Sequence, residues 1–269
     1  GYRPQISRFD AQGTEAELIL QVSNYHYRIG GPWRTIWLGD EASLRRKAAE
    51  REMFFIFLVG AIAAIGAYHL VLHYFRREEK QYLYFSIFCF LAASRTFVTG
   101  DYLVTVFVPH IDFSLLIRLE YLLFCFCILG FTLFIRSLFP EESSAGMRTL
   151  SLVFTGGIGA VVCAAPVSVF TWSLYAVYLY LGIMSLWLLL VLTRAVRRRR
   201  PGSIALMMGG TILLLAAVND ILHASFLNSI GPLFLLGLLF FIFIQAVVLS
   251  HQFMSACTSV ERMSAELKT

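Results

Sequence analysis

The sequence predicts an all-α membrane protein: a seven-transmembrane helix bundle with its N-terminus outside. We expect the last strands of an extracytoplasmic β-sandwich before the bundle and a cytoplasmic coiled-coil helix after it. Three observations lead to this prediction. Of the 269 residues, 58% are hydrophobic and only 14% are charged, against about 25% charged in soluble domains. Seven apolar stretches are each near the ~20 residues that cross a bilayer, and the last continues into a heptad pattern.

Residues 1–41 are predicted to be the end of an extracytoplasmic β-sandwich sensor domain. Apolar and polar residues alternate over 16–23, and Arg34–Leu38 follows a Gly-Gly-Pro turn, so both stretches are predicted strands. Two strands do not form an independently stable domain, so we expect them to belong to a larger sandwich. Asp40 is placed to cap a juxtamembrane helix over 42–52 that runs directly into the first span.

The seven-transmembrane bundle is predicted over 53–249. Only Pro166 and a short Ser/Val/Phe/Thr stretch separate the fourth and fifth spans, so that turn is expected to be tight; merging the two into an irregular pair would give six. Forty-four residues are too many for one crossing, and we keep seven. The predicted spans are Met53–Phe75, Tyr82–Thr99, Leu115–Ile135, Leu150–Phe170, Ser173–Thr193, Ile204–Leu222 and Gly231–Leu249.

The loops predict the orientation of the chain. The loops after the first, third and fifth spans carry ten Lys or Arg residues, whereas those after the second, fourth and sixth carry none. The positive-inside rule places the ten basic residues in the cytoplasm. The N-terminal domain is then outside and the C-terminus is cytoplasmic. The run Arg197–Arg200 is explained by contact with anionic lipid, so membrane lipid is an expected partner and nucleic acid is not.

The last stretch, Gly231–Thr269, is predicted to be one helix that leaves the membrane and dimerises. From Ile242 the apolar positions recur in steps of four and three, which is a heptad seam. We therefore expect residues 250–269 to begin a cytoplasmic signalling coiled coil that continues into an effector beyond Thr269. The alternative is an amphipathic tail lying on the membrane surface. The seam that would form a homodimer consists of Leu249, Phe253, Ala256, Val260, Met263 and Leu267.

A few polar residues lie within the predicted spans, where charged groups are costly. Arg95, Arg118, Glu120 and Asp220, with Asn219 beside it, all fall near the predicted outer ends of their spans. Two cations and two anions at one depth favour ion pairs between helices around an outward-facing polar pocket. Two interpretations stay open: the pairs bind a ligand or act in switching, or they only hold helices together.

No catalytic, cofactor-binding or metal-binding constellation is found in the sequence. His69 and His73 have a spacing that suits a metal, but no third ligand is evident, and hydrogen bonding or packing is expected instead. No zinc-protease motif, phosphate loop or kinase box is present, and the seventh span has no lysine for a retinal Schiff base. A membrane transporter or channel lined by the polar residues remains an alternative, although no helix is visibly broken at mid-depth.

An ordered set of short segments gives the chain a family resemblance. Residues 66–72 read Gly-Ala-Tyr-His-Leu-Val-Leu and are followed by Arg76-Arg77; residues 82–88 read Tyr-Leu-Tyr-Phe-Ser-Ile-Phe and are followed by Arg95. Leu138-Phe139-Pro140 and, before the spans, Gln21–Arg28, Gly30–Trp33 and Leu38-Gly39 complete the set. From Leu18 to the seventh span, the chain resembles the bacterial seven-transmembrane receptors with diverse intracellular signalling modules.

The resemblance implies a signal receptor in the bacterial cell (inner) membrane. Its outer jelly-roll domain, carbohydrate-binding-like in fold, would sense an unknown ligand, and its cytoplasmic end would drive an effector. The segment Ser259–Leu267 looks most like the linker before a kinase dimerisation domain, so a sensor histidine kinase of a two-component system is expected. A diguanylate or adenylate cyclase is the alternative. The family defines no catalytic residues within the seven spans, so enzymatic activity is expected only from the effector.

Overall fold

The computed structural model describes residues 6–9, 17, 19, 36–224 and 233–266. Regular structure within these ranges is helical, without a strand. In the second predicted strand, Ile36–Leu38 are described and have no regular secondary structure. The first predicted strand lies outside the described residues apart from Glu17 and Ile19. The β-sandwich therefore stays a prediction.

Nine helices are formed in the described part of the chain, two of them only four residues long. They are α1 (Glu41–Phe75), α2 (Lys80–Thr99), α3 (Val104–Phe107), α4 (Phe113–Leu138), α5 (Ala145–Ala164), α6 (Val167–Phe170), α7 (Ser173–Arg197), α8 (Ser203–Ala224) and α9 (Phe234–Glu266).

Seven helical segments are long and apolar enough to cross a membrane, which confirms the predicted number of spans. Their ends differ from the prediction where local chemistry intervenes. The predicted fourth span, Leu150–Phe170, is divided: α5 ends at Ala164, and Pro166 precedes the short α6. Proline lacks an amide hydrogen and disfavours helix at the preceding residue, so the helix stops at this position.

The first and last long helices both extend beyond a membrane crossing. Helix α1 starts at Glu41 and has no break before the first span. Asp40 caps it as predicted, because its side chain accepts a hydrogen bond from the Ser43 backbone amide at 3.1 Å. Helix α9 is equally continuous and has 33 residues.

The chain divides into two compact units. Unit 1 comprises Gly1–Val59, Leu91–Leu129 and Leu150–Gly182. One of its apolar clusters joins α4, α5, α6 and the start of α7, and the hydroxyl of Tyr121 in this cluster donates a hydrogen bond to the Thr171 carbonyl at 3.2 Å. The buried members of the cluster are Ile117, Tyr121, Val162, Val167 and Phe170.

Unit 2 comprises Gly60–Phe90, Gly130–Thr149 and Ile183–Thr269, and it contains all of α8 and α9. Aromatic rings fill its interior: the centroid of Phe131 lies 5.4 Å from that of Phe88 and 5.8 Å from that of Phe241. Helices α8 and α9 approach closely at Gly237, where a Cβ atom would lie 2.8 Å from Cβ of Ala216. Any larger residue at position 237 would force the two helices apart.

Candidate functional site

Arg118, one of the predicted polar residues, holds the end of a neighbouring helix in unit 1. Its Nη1 donates to the carbonyl of Val162, and its Nη2 donates to the carbonyl of Ala165 at 2.9 Å. The guanidinium also lies over the ring of Phe170, 5.1 Å from the centroid. Carbonyls at the C-terminus of a helix have no intrahelical donor, and Arg118 supplies donors at the end of α5.

Arg95 and Glu120, also in unit 1, interact without a close ion pair. The Arg95 guanidinium lies 4.7 Å from the centroid of the Phe124 ring, one turn after Glu120 on α4. Its charge acts on the Glu120 carboxylate, but the described residues form no salt bridge within 4.0 Å between Glu120 and either Arg95 or Arg118. The Arg95 Nε is buried and has no hydrogen-bond partner in the described part of the chain.

Asp220 in unit 2 caps the start of α9. Its Oδ1 accepts a hydrogen bond from the Leu233 amide at 2.6 Å, and its Oδ2 accepts one from the Phe234 amide at 3.2 Å. Asn219 Nδ2 donates to Asp220 Oδ1 at 3.3 Å. A carboxylate at a helix N-terminus satisfies free amides and interacts favourably with the helix dipole. Asp220 thereby links the end of α8 to the start of α9.

Two of the five predicted polar residues, Arg118 and Asp220, thus make contacts that fix helix ends. These contacts support the interpretation in which the polar residues hold helices together. The predicted outer pocket would need residues from both units, and it stays a prediction.

The first two positions of the predicted dimer seam are packed within the chain. Leu249 is fully buried. The Phe253 ring lies edge-on to Tyr82 with centroids 6.0 Å apart, and the Arg76 guanidinium is 5.9 Å from its centroid. Helix α9 continues through seam positions Ala256, Val260 and Met263, whose side chains lie outside the described part, as does Leu267. A dimer seam from Ala256 onward stays a prediction.

The loop between α7 and α8 also contacts α9, close to Phe253 along the helix. Gly202 has a φ of +78°, and a Cβ atom there would lie 2.6 Å from Cγ1 of Val248. The amide nitrogen of the Gln252 side chain donates to the Pro201 carbonyl at 3.3 Å. We refer to Arg76, Tyr82, Pro201 and Gly202, which contact α9 between Val248 and Phe253, as the exit collar.

The exit collar is absent from the sequence predictions. Two signals could have pointed to it: the turn-forming Pro201-Gly202 pair directly after four arginines, and an aromatic residue, Phe253, among polar neighbours. Neither signal identifies the partner, because contacts between distant loops and a helix leave no fixed spacing in the sequence.

Ion pairs fix the loop between α7 and α8, which we call the collar loop, to the loop between α4 and α5. The Glu142 side chain is 1% exposed; its Oε1 accepts a hydrogen bond from Arg200 Nε at 2.9 Å and lies 3.4 Å from Arg198 Nη1. Arg200 also pairs with Glu141. Burial raises the pKa of Glu142, but the hydrogen bond from Arg200 and the charges of Arg200 and Arg198 outweigh it, so the pKa lies below its ordinary value.

Two buried polar side chains lie in unit 2: Gln245 on α9 and His69 on α1, near α9. Gln245 is fully buried, and neither its amide oxygen nor its amide nitrogen has a hydrogen-bond partner among the residues that the structure describes. His69 of α1 is also fully buried, with Nδ1 2.9 Å from the Ile65 carbonyl and its ring edge-on to Phe85. The Ala246 carbonyl of α9 lies near the His69 ring, but Nε2 has no partner in hydrogen-bonding geometry.

The extension of α1 is attached to the loop that follows α2, within unit 1. Arg51 Nε lies 2.9 Å from Oδ2 of Asp101, whose side chain is 9% exposed. Asp101 and Tyr102 have φ values of 47° and 56°, a left-handed backbone region that costs energy for residues with a Cβ atom. On the preceding side, Lys47 Nζ lies 5.0 Å from the centroid of the Trp37 ring. The extension of α1 therefore contacts the rest of unit 1 through Arg51.

No group of three or more His, Cys, Asp or Glu residues in the described ranges could hold a metal ion. The sites described above consist of helix caps, ion pairs and aromatic contacts. Such contacts can position helices and change their relative positions, but they contain no paired nucleophile and base.

Comparison with known proteins identifies one family. A family model described as 7TM diverse intracellular signalling matches residues 51–252. No curated protein and no solved structure matches the chain. The matched range includes α2 to α8, most of α1, and α9 up to the exit collar.

Proposed function

Because the chain belongs to the 7TM diverse intracellular signalling family, we propose that it is a bacterial receptor that passes an extracytoplasmic signal through seven helices to a cytoplasmic effector. Residues 1–41 belong to the outer sensor domain, whose ligand is unknown; because the expected fold is carbohydrate-binding-like, a carbohydrate-like molecule is the first candidate. The protein lies in the inner membrane with its C-terminus in the cytoplasm, and two copies associate through the end of α9.

The continuous helix α9 is the observation that carries this proposal. At about 1.5 Å per residue, its 33 residues extend about 50 Å, whereas the hydrocarbon core of a bilayer is about 30 Å thick. The same rigid element therefore lies in the membrane and extends beyond it. A helix of this kind can transmit a rotation or a shift without a hinge.

The exit collar supports a mechanism in which α9 has two positions. The residues of the exit collar contact α9 at Val248 and Phe253 and so hold this part of the helix in one position. A ligand that binds one position of the helices more tightly shifts the population toward that position. The movement of α9 then changes the register or rotation of the dimeric helix that follows.

The effector is a sensor histidine kinase of a two-component system, with a diguanylate or adenylate cyclase as the second candidate. Phosphate transfer from radiolabelled ATP to the full-length protein, assayed beside cyclic-nucleotide formation from GTP and ATP, distinguishes them. A transport function has less support, because Arg118 and Asp220 are engaged in fixing helix ends.

Cysteine crosslinking in the full-length protein tests the dimer. In a background without the natural cysteines, single cysteines replace Val260 and Met263 on the proposed seam or Ser259 and Arg262 beside it. A heptad seam brings the first two close to their copies in the partner, so we expect several-fold more disulfide-linked dimer from them. Equal crosslinking at all four positions rejects the seam, and its absence at all four rejects the dimer.

A further inference from the structure

Unit 2 contains a cavity of about 740 Å³ at the ends of α1, α2, α4 and α5. Its lining carries five cationic side chains against two carboxylates, Glu78 and Glu79. We call it the anion pocket, and its cations are Arg76, Arg77, Lys80, Arg136 and Arg148.

Most of these cations have no carboxylate of the described residues within 4.0 Å. Arg76 lies 3.8 Å from Glu79, and it is the one cation of the pocket with a carboxylate of the described residues within 4.0 Å. Arg136 donates to the Ser144 carbonyl at 2.8 Å, a neutral acceptor. Lys80 and Arg148 are exposed. Cations that line one cavity repel one another, and the two carboxylates of the lining do not balance all five, so a bound anion would lower the electrostatic energy.

The remaining lining suits a phosphate group. Lys80 is the first residue of α2, and Arg148 is in the first turn of α5, where free backbone amides and the helix dipole add positive potential. Tyr84 lines the same cavity with a hydroxyl group that can donate a hydrogen bond. Gln81 donates one amide hydrogen to Glu79 at 3.1 Å and has a second one to offer. Arginine and lysine together with such donors are the groups that bind phosphate oxygens.

We propose that the anion pocket binds a phosphate-bearing anion, and that the phosphate of an anionic membrane lipid is its source. Phe75 and Leu133 line the cavity beside its charges, so acyl chains can continue along apolar surface while the phosphate meets the cations. Basic pockets between transmembrane helices bind anionic head groups in this way.

The pocket is linked to α9 through Arg76. This side chain lines the cavity and also lies over the Phe253 ring. A bound phosphate competes with the ring for the guanidinium, so occupancy changes the contact that holds α9 at the exit collar. This link rests on the proposed function, whereas the binding site does not.

Binding to the full-length protein in nanodiscs of neutral phosphatidylcholine tests the site. The probes are short-chain phosphatidylglycerol, which carries acyl chains, and glycerol phosphate, which does not. The pocket variant combines Lys80→Gln with Arg148→Gln, two exposed positions. The matched control combines Arg45→Gln with Arg46→Gln, which removes the same charge from exposed residues outside the cavity lining.

We expect phosphatidylglycerol to bind the pocket variant at least about tenfold more weakly than the wild type, with the control unchanged. Tighter binding of the lipid than of glycerol phosphate assigns the site to a membrane lipid; equal binding keeps the phosphate site and assigns it to a soluble phosphate. Equal losses in both variants, or no saturable binding to the wild type, overturn the proposal. Unchanged thermal unfolding shows that the variants are folded.

A spin label at Met254→Cys, an exposed position beyond Phe253 in a background without the natural cysteines, tests the link separately. Added phosphatidylglycerol is expected to increase its mobility in the wild-type pocket and leave it unchanged in the pocket variant. If phosphatidylglycerol binds saturably but the mobility of the label does not change, the binding site stands and its link to α9 is rejected. Effector output is not measured in this experiment, so failure of the proposed receptor function would show only in the assays of that function.

Discussion

Asp220 accepts backbone hydrogen bonds at the start of α9 from a position on α8. Replacing it with Leu removes the acceptors and leaves amides unsatisfied, so we expect the free energy of unfolding to fall by about 1–2 kcal/mol. Asn retains one acceptor oxygen, and Asp220→Asn should lose less than half as much. Thermal unfolding in detergent measures both. Equal losses would show that the charge, and not the cap, is what Asp220 contributes.

Gln245 places two unpartnered polar atoms in the interior of unit 2. Leaving a buried donor or acceptor unsatisfied costs about 1–3 kcal/mol per group. Met has a similar volume without these groups, so Gln245→Met is expected to raise the free energy of unfolding by about 1 kcal/mol.

Gln252→Met is the matched control for this prediction. It removes the hydrogen bond to the Pro201 carbonyl and should lower stability by about 0.5–1.5 kcal/mol. Chemical denaturation of each variant gives both values. Destabilisation by Gln245→Met would mean that Gln245 has a hydrogen-bonded role in the protein.

Residue chemistry explains why the polar residues were predicted as a group but not as helix caps. Their depth in the spans follows from sequence position, since helices rise by a constant amount per residue. Arg118 and Asp220, however, bind backbone carbonyls and amides. Every residue carries these groups, so nothing in the sequence marks which ones a charged side chain will reach.

At the scale of elements, Gly202 sets how closely the collar loop approaches α9. Its φ of +78° and the 2.6 Å approach of a Cβ atom to Val248 both oppose a side chain. Gly202→Ala is expected to lower the free energy of unfolding by about 1–2 kcal/mol from backbone strain alone, measured by thermal unfolding.

Gly156→Ala is the control for the collar loop, because a Cβ atom there meets nothing within 4 Å. Gly156 lies inside α5, where alanine is favoured over glycine by roughly 0.5–1 kcal/mol. Gly202→Ala should therefore lower the free energy of unfolding, whereas Gly156→Ala should raise it. A neutral Gly202→Ala would indicate that the loop does not press against α9.

The ion pairs of Glu142 give the collar loop a pH dependence. The pKa of Glu142 lies below its ordinary value of 4.5, so this group stabilises the fold at pH values above 4.5. The contribution is lost as the pH falls through the folded pKa.

Unfolding of the wild type and of Glu142→Gln between pH 7 and 3 isolates this effect. The wild type should be more stable by a constant amount from pH 7 to about 5.5, and the difference should shrink below about 4.5. Glu78→Gln serves as reference, since Glu78 is exposed and in no ion pair with a described residue. A difference that persists at pH 3 would show that Glu142 acts through packing and not through its charge.

The elements were predicted well where hydropathy alone decides them. The seven spans follow from apolar length, and α9 is an unbroken helix longer than one membrane crossing, as its periodicity predicts. The heptad pattern, however, did not tell whether α9 packs against its own chain or against a second copy. Leu249 is buried within the chain, and Phe253 contacts Tyr82 of the same chain. An apolar stripe with this period packs against any apolar surface, whether in the same chain or in a second copy.

At the scale of the whole molecule, charge is distributed unevenly between the two sets of loops. Basic residues concentrate after α1, after α4 and at the end of α7, whereas the segment 100–112 between α2 and α4 contains two aspartates and no Lys or Arg. Basic loops are retained in the cytoplasm during insertion. This distribution supports an arrangement in which the anion pocket faces the anionic inner leaflet and Asp101 is outside.

Cysteine accessibility tests that arrangement in intact cells. In a background without the natural cysteines, His110→Cys lies in the acidic segment and Glu78→Cys in the basic loop after α1; both positions are exposed. A membrane-impermeant maleimide added from outside should label position 110 at least about tenfold faster than position 78, because the bilayer blocks a charged reagent. Permeabilised cells should label both, which shows that each cysteine is reactive. The reverse pattern in intact cells would place the end of α9 outside and exclude a cytoplasmic effector.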